Sequence, residues 1–261
     1  MATADACDTV ELGKTMTMRL RREFSGQDEA GVLYGVGLGP GAPDLMTLRA
    51  ARLIKAARVI AYPTLAGADS FARSIAADLI SADAQEIMMD VPMSVERAPA
   101  QAAYDAGAAA IAAALDLGQD VVFLCEGYPF FYGSFMYLFA RLSERYRVEV
   151  VPGVTSVTAC AARAGMPLAA RNERLTVLPG PLPAEALRAR VDGAESVVIM
   201  KVGRHLPKIR GVIDDLGLTD VAVYVERATL AEEVVLPLSQ APVTAPYFSM
   251  ILLTKGADPW L

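Results

Sequence analysis

Residues 32–48 read VLYGVGLGPGAPDLMTL. The apolar, β-branched opening suits a buried strand over 32–36, which runs into glycines at 35, 37, 39 and 41. Beyond the loop, Met46, Ala50, Leu53, Ile54 and Ala57 fall on one helical face. That spacing predicts a helix over 44–58 with Asp44 as its N-cap. Strand, glycine loop and helix in this order open an α/β unit. Glycine permits tight turns and close backbone approach, so the loop is a ligand-site candidate as well as a simple turn. Gly37, Gly39 and Ala42 loosely satisfy a dinucleotide-binding pattern. Against that reading, Pro40 removes a donor a pyrophosphate would want, and the next strand, ending near Tyr62, lacks the ribose-holding acid. The loop itself holds no Gly-Lys-Ser/Thr, so it is no P-loop.

The alternation continues outward. A short strand is expected at 58–62, then a helix capped by Ser70 with Phe71, Ile75 and Leu79 at spacing four. A strand at 86–91 precedes a helix over 97–117, striped by Tyr104, Ala108, Ile111 and Leu115 and stopped by Gly118. VVFLC at 121–125 reads as a central strand, and Ser134 opens the helix after it. VEVVPG (148–153) reads as a strand that begins a second unit, followed by a helix over 155–165 ended by Gly165. Strands are expected at 174–178, 196–202, 221–226, 232–238 and 247–254, with helices at 183–191 and 206–216. The later strands have little helix between them, which predicts antiparallel pairing. The resulting division is an N-terminal extension (1–30), an α/β domain (31–149) and a second α/β domain (150–261).

Composition narrows the function. Against 30 acidic residues stand 24 lysines and arginines, a net charge of −6 that argues against general nucleic-acid binding. His205 is the only histidine, so a multi-histidine metal site is excluded, and no metal is expected. Cys7, Cys125 and Cys160 are widely spaced with no CxxC pair, which fits a reducing, cytoplasmic compartment. Residues 1–30 lack the apolar segment of a signal peptide. Gly127, Pro129 and Gly133 interrupt the most apolar window, 121–140, so no membrane span is expected.

Two further loops could carry chemistry. CEGYPFFYGS (125–134) follows the expected central strand, where open α/β sheets bind ligands. Its aromatic rings suit a ligand wall or plain core packing. VPGVTS (151–156) ends a strand and offers the hydroxyls of Thr155 and Ser156 at a helix entry, where capping is the plainer reading. Lys201, Arg204, His205 and Lys208 cluster after another expected strand, with Arg97, Arg163, Arg171 and Arg174 as further bases. Each is an anion-site candidate or part of a solvated charged face.

The ordered motifs GxGxGPGxPxLxTL, EGxPFFYGS and VPGVTSVTACAARAGxPL resemble the tetrapyrrole methylases, class III S-adenosylmethionine-dependent methyltransferases, over about residues 32–256. Within the family, FFYGSFMYL and PMS at 92–94 are most similar to members that methylate C20 of precorrin-2, with those acting on cobalt-factor II as the alternative. The resemblance implies two α/β domains with S-adenosylmethionine in the cleft between them, usually as a homodimer. It implies cofactor contacts at Pro40, Glu126, Gly127, Tyr128, Phe131, Thr155, Ser156, Met200 and Ala228. A polycarboxylate tetrapyrrole would then be held by Lys201 and Arg204. No catalytic residue is assigned; Glu126, Tyr128 and bulk water are the candidates for removing the meso proton. Where the family usually has Gly-Asp-Pro, this chain has Gly127-Tyr128-Pro129. A phenol is neutral at pH 7, so a catalytically impaired binding homologue stands as a further alternative.

Overall fold

The computed structural model describes residues 30–64, 68–92 and 97–256. Residues 1–29 of the expected extension, Cys7, the Met93–Ser94 part of PMS and the Arg97 side chain lie outside the described residues.

The first half builds a fully parallel sheet. Strands β1 (Leu33–Gly37), β2 (Val59–Thr64), β3 (Gln85–Asp90), β4 (Val121–Cys125) and β5 (Val148–Val151) stand in the order β3-β2-β4-β1-β5. Successive side chains point to opposite faces, and both faces are covered. Leu33, Val59, Ala61, Val121 and Phe123 enter one core with Ile111 and Leu115 of α3 (Arg97–Asp116) and Phe135 of α4 (Phe135–Leu142). Val36, Ile60, Val122 and Leu124 enter the other with Ala50 and Ile54 of α1 (Leu48–Ala56) and Ile75 of α2 (Phe71–Ile75). β1 lies between β4 and β5, so the sheet order reverses beside it. In doubly wound sheets such a point opens a crevice outside the carboxyl ends of the strands.

The second half is mixed. Strands β6 (Leu175–Pro179), β7 (Ser196–Met200), β8 (Ala222–Glu226), β9 (Val234–Pro237) and β10 (Ser249–Thr254) stand in the order β6-β7-β10-β8-β9. β6 and β7 are parallel, while β10 runs antiparallel to both neighbours and β9 antiparallel to β8. One face packs on α6 (Ala184–Asp192) and α7 (Leu206–Asp215). The other is covered by Val157, Cys160 and Ala161 of α5 (Ser156–Ala164), against Val198, Met200, Val225 and Met250.

Three local expectations are corrected. Asp44 caps nothing: a 3-10 turn occupies Pro43–Leu45, Met46 is extended, and Thr47 caps α1 by accepting the Ala50 amide. Leu79 is not on α2, because Ala76 leaves the helical region and Ala77–Leu79 form a 3-10 turn. The strand at 148 does not begin the second unit. β5 pairs with β1 through Val151, so the first sheet runs two residues past the 149/150 division. Among the described residues no helix is long and apolar enough to cross a membrane.

Candidate functional site

Three strand ends converge at the crevice, and each has a glycine at its last residue or two residues beyond: Gly37, Gly127 and Gly153. A Cβ on Gly37 would stand 2.6 Å from the Gly127 carbonyl oxygen and from the Gly153 nitrogen. A Cβ on Gly153 would stand 2.1 Å from the Gly127 oxygen. The backbones touch because nothing larger than hydrogen separates them. The first two loops are also bonded together: Leu38 N–H donates to the Cys125 carbonyl at 2.9 Å, and Gly127 N–H to Gly39 at 2.7 Å. Gly127 sits at φ +62, a left-handed position. Pro40 therefore directly follows a residue, Gly39, that is braced to the loop carrying Glu126 and Tyr128.

Glu126 follows β4 and is half-buried. Burial pushes its carboxyl above the ordinary glutamate range, opposed by hydrogen bonds from its own amide and that of Ala72. The Glu126 charge in turn raises the Tyr247 phenol, whose largest shift comes from burial. α2 is held for this contact. Ser70 caps it and donates to the Pro63 carbonyl at 2.7 Å. Arg73 grips Glu86 through two bonds of 2.7 Å, and the Tyr62 hydroxyl donates to the same carboxylate at 2.5 Å. The Arg73 bond holds the Glu86 carboxyl below its usual range.

The second half closes over this edge. Phe131, from the loop after β4, packs into the apolar cluster that holds Met200 at the end of β7 and Ala228 beyond β8. Phe71 of α2 stacks on Phe248 with ring centroids 4.9 Å apart. Ala42 N–H donates to the Thr229 hydroxyl at 3.1 Å. Tyr128 is half-buried, edge-on to Phe130, and its carbonyl accepts the Phe131 amide at 3.0 Å. Thr155 caps α5 by accepting the Thr158 amide, and Ser156 is the first residue of that helix. Of the nine residues expected to contact a cofactor, eight lie on loops or strand ends and Ser156 opens α5. The glycine cradle, the acidic Glu126 and the apolar Phe131–Met200–Ala228 wall fit an amphipathic cation such as S-adenosylmethionine.

The bases divide. Lys201 directly follows β7 at φ +56, with its ammonium 5.1 Å from the centre of the Tyr132 ring, and Arg204 is exposed in the next turn. Lys208 turns inward and donates to the carbonyls of Gly180 and Leu182; burial lowers its pKa. Arg163 pairs with Glu233 at 2.6 Å and Arg174 with Glu195 at 2.8 Å. His205 is held below the usual histidine range by burial, Lys208 and Arg204. Cys125 and Cys160 are buried free thiols, each pushed up to about 12 by burial. Sequence reasoning missed Thr229, Glu233, Tyr247 and Phe248, which carry no motif of their own.

The family described as tetrapyrrole (corrin/porphyrin) methylases matches residues 32–242, and the chain belongs to it. It is 41% identical to a precorrin-2 C(20)-methyltransferase of Sinorhizobium sp, covering 87% of this chain and 97% of that one. It is 34% identical to a cobalt-precorrin-2 C(20)-methyltransferase of Salmonella typhimurium, covering 86% and 97%. Among solved structures it is similar to the uroporphyrin-III C-methyl transferase of Thermus thermophilus complexed with S-adenyl homocysteine. That likeness has 26% identity and a TM-score of 0.62, covering 86% and 92%.

Proposed function

We propose that this S-adenosylmethionine-dependent C-methyltransferase methylates C20 of precorrin-2 in cobalamin biosynthesis. The observation that carries the substrate is the 41% identity, over nearly the whole of both chains, to the Sinorhizobium enzyme of that name. When bound, S-adenosylmethionine would supply a methyl group activated by its sulfonium charge, open to in-line attack by an electron-rich ring carbon with S-adenosylhomocysteine as the leaving group. The chain's task is alignment and exclusion of water. Pro40, Glu126, Gly127, Tyr128, Phe131, Thr155, Ser156, Met200 and Ala228 hold the donor. Glu126 is the acid among them and complements a cationic centre. Lys201 and Arg204 meet the substrate carboxylates. The enzyme works as a homodimer in the cytoplasm, a compartment consistent with its buried free thiols.

The Salmonella relative supports a second reading, in which the ring carries cobalt. Turnover of metal-free and cobalt-loaded substrate with methyl-labelled donor decides between them. The proposal expects the label at C20 and a higher kcat/KM for metal-free substrate. Label on another carbon, or turnover of the cobalt form alone, contradicts it.

A further inference from the structure

Thr229 lies just beyond β8 with its backbone held at φ +71, a region a β-branched residue adopts only at a cost. Two hydrogen bonds hold it there. Its amide donates to Glu233 Oε2 at 2.6 Å, and its hydroxyl accepts the amide of Ala42, 187 residues away in sequence. Glu233 is gripped in turn by Arg163 of α5, with Nε 2.6 Å from Oε1, and its side chain is only 13% exposed. Arg163, Glu233, Thr229 and Ala42 thus form one continuous chain of bonds. It ties α5 and the β8 loop to the glycine loop after β1.

Its neighbours are the residues that matter for ligand. Ala42 lies two positions after Pro40, and Thr229 directly follows Ala228. Gly41 fits against Leu230 so closely that a Cβ would stand 2.6 Å from Leu230 Cδ2. Behind the chain of bonds opens a cavity of about 450 Å³, bordered by Ala42, Arg163, Thr229, Leu230 and Glu233 among others. On this side the Ala42–Thr229 bond and the Gly41–Leu230 contact join the loop to the second half.

We propose that Thr229 and Glu233 are positioning residues for the cofactor, clamping the loop that carries Pro40 against the strand end that carries Ala228. The proposal rests on the reading of Pro40 and Ala228 as cofactor contacts. Neither Thr229 nor Glu233 need touch the cofactor. The clamp acts by keeping the two walls in register before binding, which lowers the ordering cost of binding.

The test uses the full chain and two readouts. Amide hydrogen exchange of the cofactor-free protein follows the segment containing Ala42, and calorimetry follows S-adenosylhomocysteine binding. Thr229→Val keeps the shape and removes the acceptor. About tenfold faster exchange and about tenfold weaker binding are expected, with KM for the donor rising and kcat little changed. Glu233→Ala is expected to do the same, and the double variant to be no worse than the poorer single one. Thr229→Ser restores the acceptor and is expected to restore both readouts. If Glu233→Ala does not fold, the two Thr229 variants carry the test. Unchanged exchange and binding in Thr229→Val overturn the proposal, as does a double variant whose losses multiply. A wild-type chain that binds no S-adenosylhomocysteine, with the exchange difference intact, overturns the cofactor reading underneath it and leaves the clamp standing.

Discussion

The two halves approach the cleft with opposite backbone solutions. The first half brings glycine at Gly37, Gly127 and Gly153, and at Gly37 and Gly153 a Cβ would collide with neighbouring backbone. The second half brings side chains on left-handed backbone, at Lys201 (φ +56), Arg227 (φ +47) and Thr229 (φ +71). Each costs on the order of 1 kcal/mol that glycine would avoid. Each also makes a contact glycine could not. Lys201 lies over Tyr132, Arg227 pairs with Glu226 at 2.6 Å, and Thr229 receives Ala42. The crowded strand ends therefore need the absence of side chains, while the second half, like Tyr132 (φ +56) in the loop after β4, tolerates strain to place them. Position tells them apart: glycine stands where strand ends crowd, while Lys201 and Thr229 accept strain where they meet Tyr132 and Ala42 of the first half, and Arg227 pairs with its own neighbour.

The contrast breaks hardest at Gly153. Gly153→Ala puts a methyl on the Gly127 carbonyl and is expected to cost about 3 kcal/mol in chemical denaturation, with loss of S-adenosylhomocysteine binding. A loss well under 1 kcal/mol would show that the crowding is easily relaxed. Lys201→Gly sharpens the other side. Relief of left-handed strain and loss of the ring contact roughly cancel, so stability is expected to stay within about 0.5 kcal/mol. KM for the tetrapyrrole is expected to rise about tenfold while KM for the donor holds. Parallel rises in both would remove Lys201 from the substrate side.

A subtler effect concerns pH. Glu126 is raised by burial, so the folded chain holds its proton more tightly than the unfolded chain does. Its contribution to stability is therefore lost as pH climbs from the ordinary glutamate value through the raised folded one. Glu126→Gln lacks this loss. Its Tm relative to wild type is expected to improve between acid and neutral pH, with weaker S-adenosylmethionine binding at neutrality. A Tm difference that stays flat with pH would contradict the buried carboxyl. The smallest effect is expected at Tyr128. Its carbonyl closes the turn with the Phe131 amide, so the backbone already holds the loop. Tyr128→Asp should change donor affinity and turnover by less than about threefold. A rescue of turnover well beyond that would make the natural chain an impaired homologue.

Much of this was legible from residues alone. β4 falls on 121–125 because five consecutive apolar residues are buried on both faces, and Gly118 and Gly165 end α3 and α5 in left-handed turns. The three loops carry their glycines in sequence, so the first wall was readable. The second wall was not, since a left-handed threonine has no local signature. Ion-pair choice was equally hidden. Arg163 finds Glu233 70 residues away, and Lys208 finds carbonyls near Gly180, so neither serves as a free anion site. Sheet membership of β5 depended on pairing with β1 more than a hundred residues earlier, which local pattern does not encode.

The most direct test of the cleft as the cofactor site is calorimetric titration of the purified chain with S-adenosylhomocysteine, repeated on Ala228→Trp, which fills the apolar wall. The account predicts one site per chain with Kd on the order of 1 μM or tighter, lost in the folded variant. No binding by wild type, or equal binding by both, would contradict it.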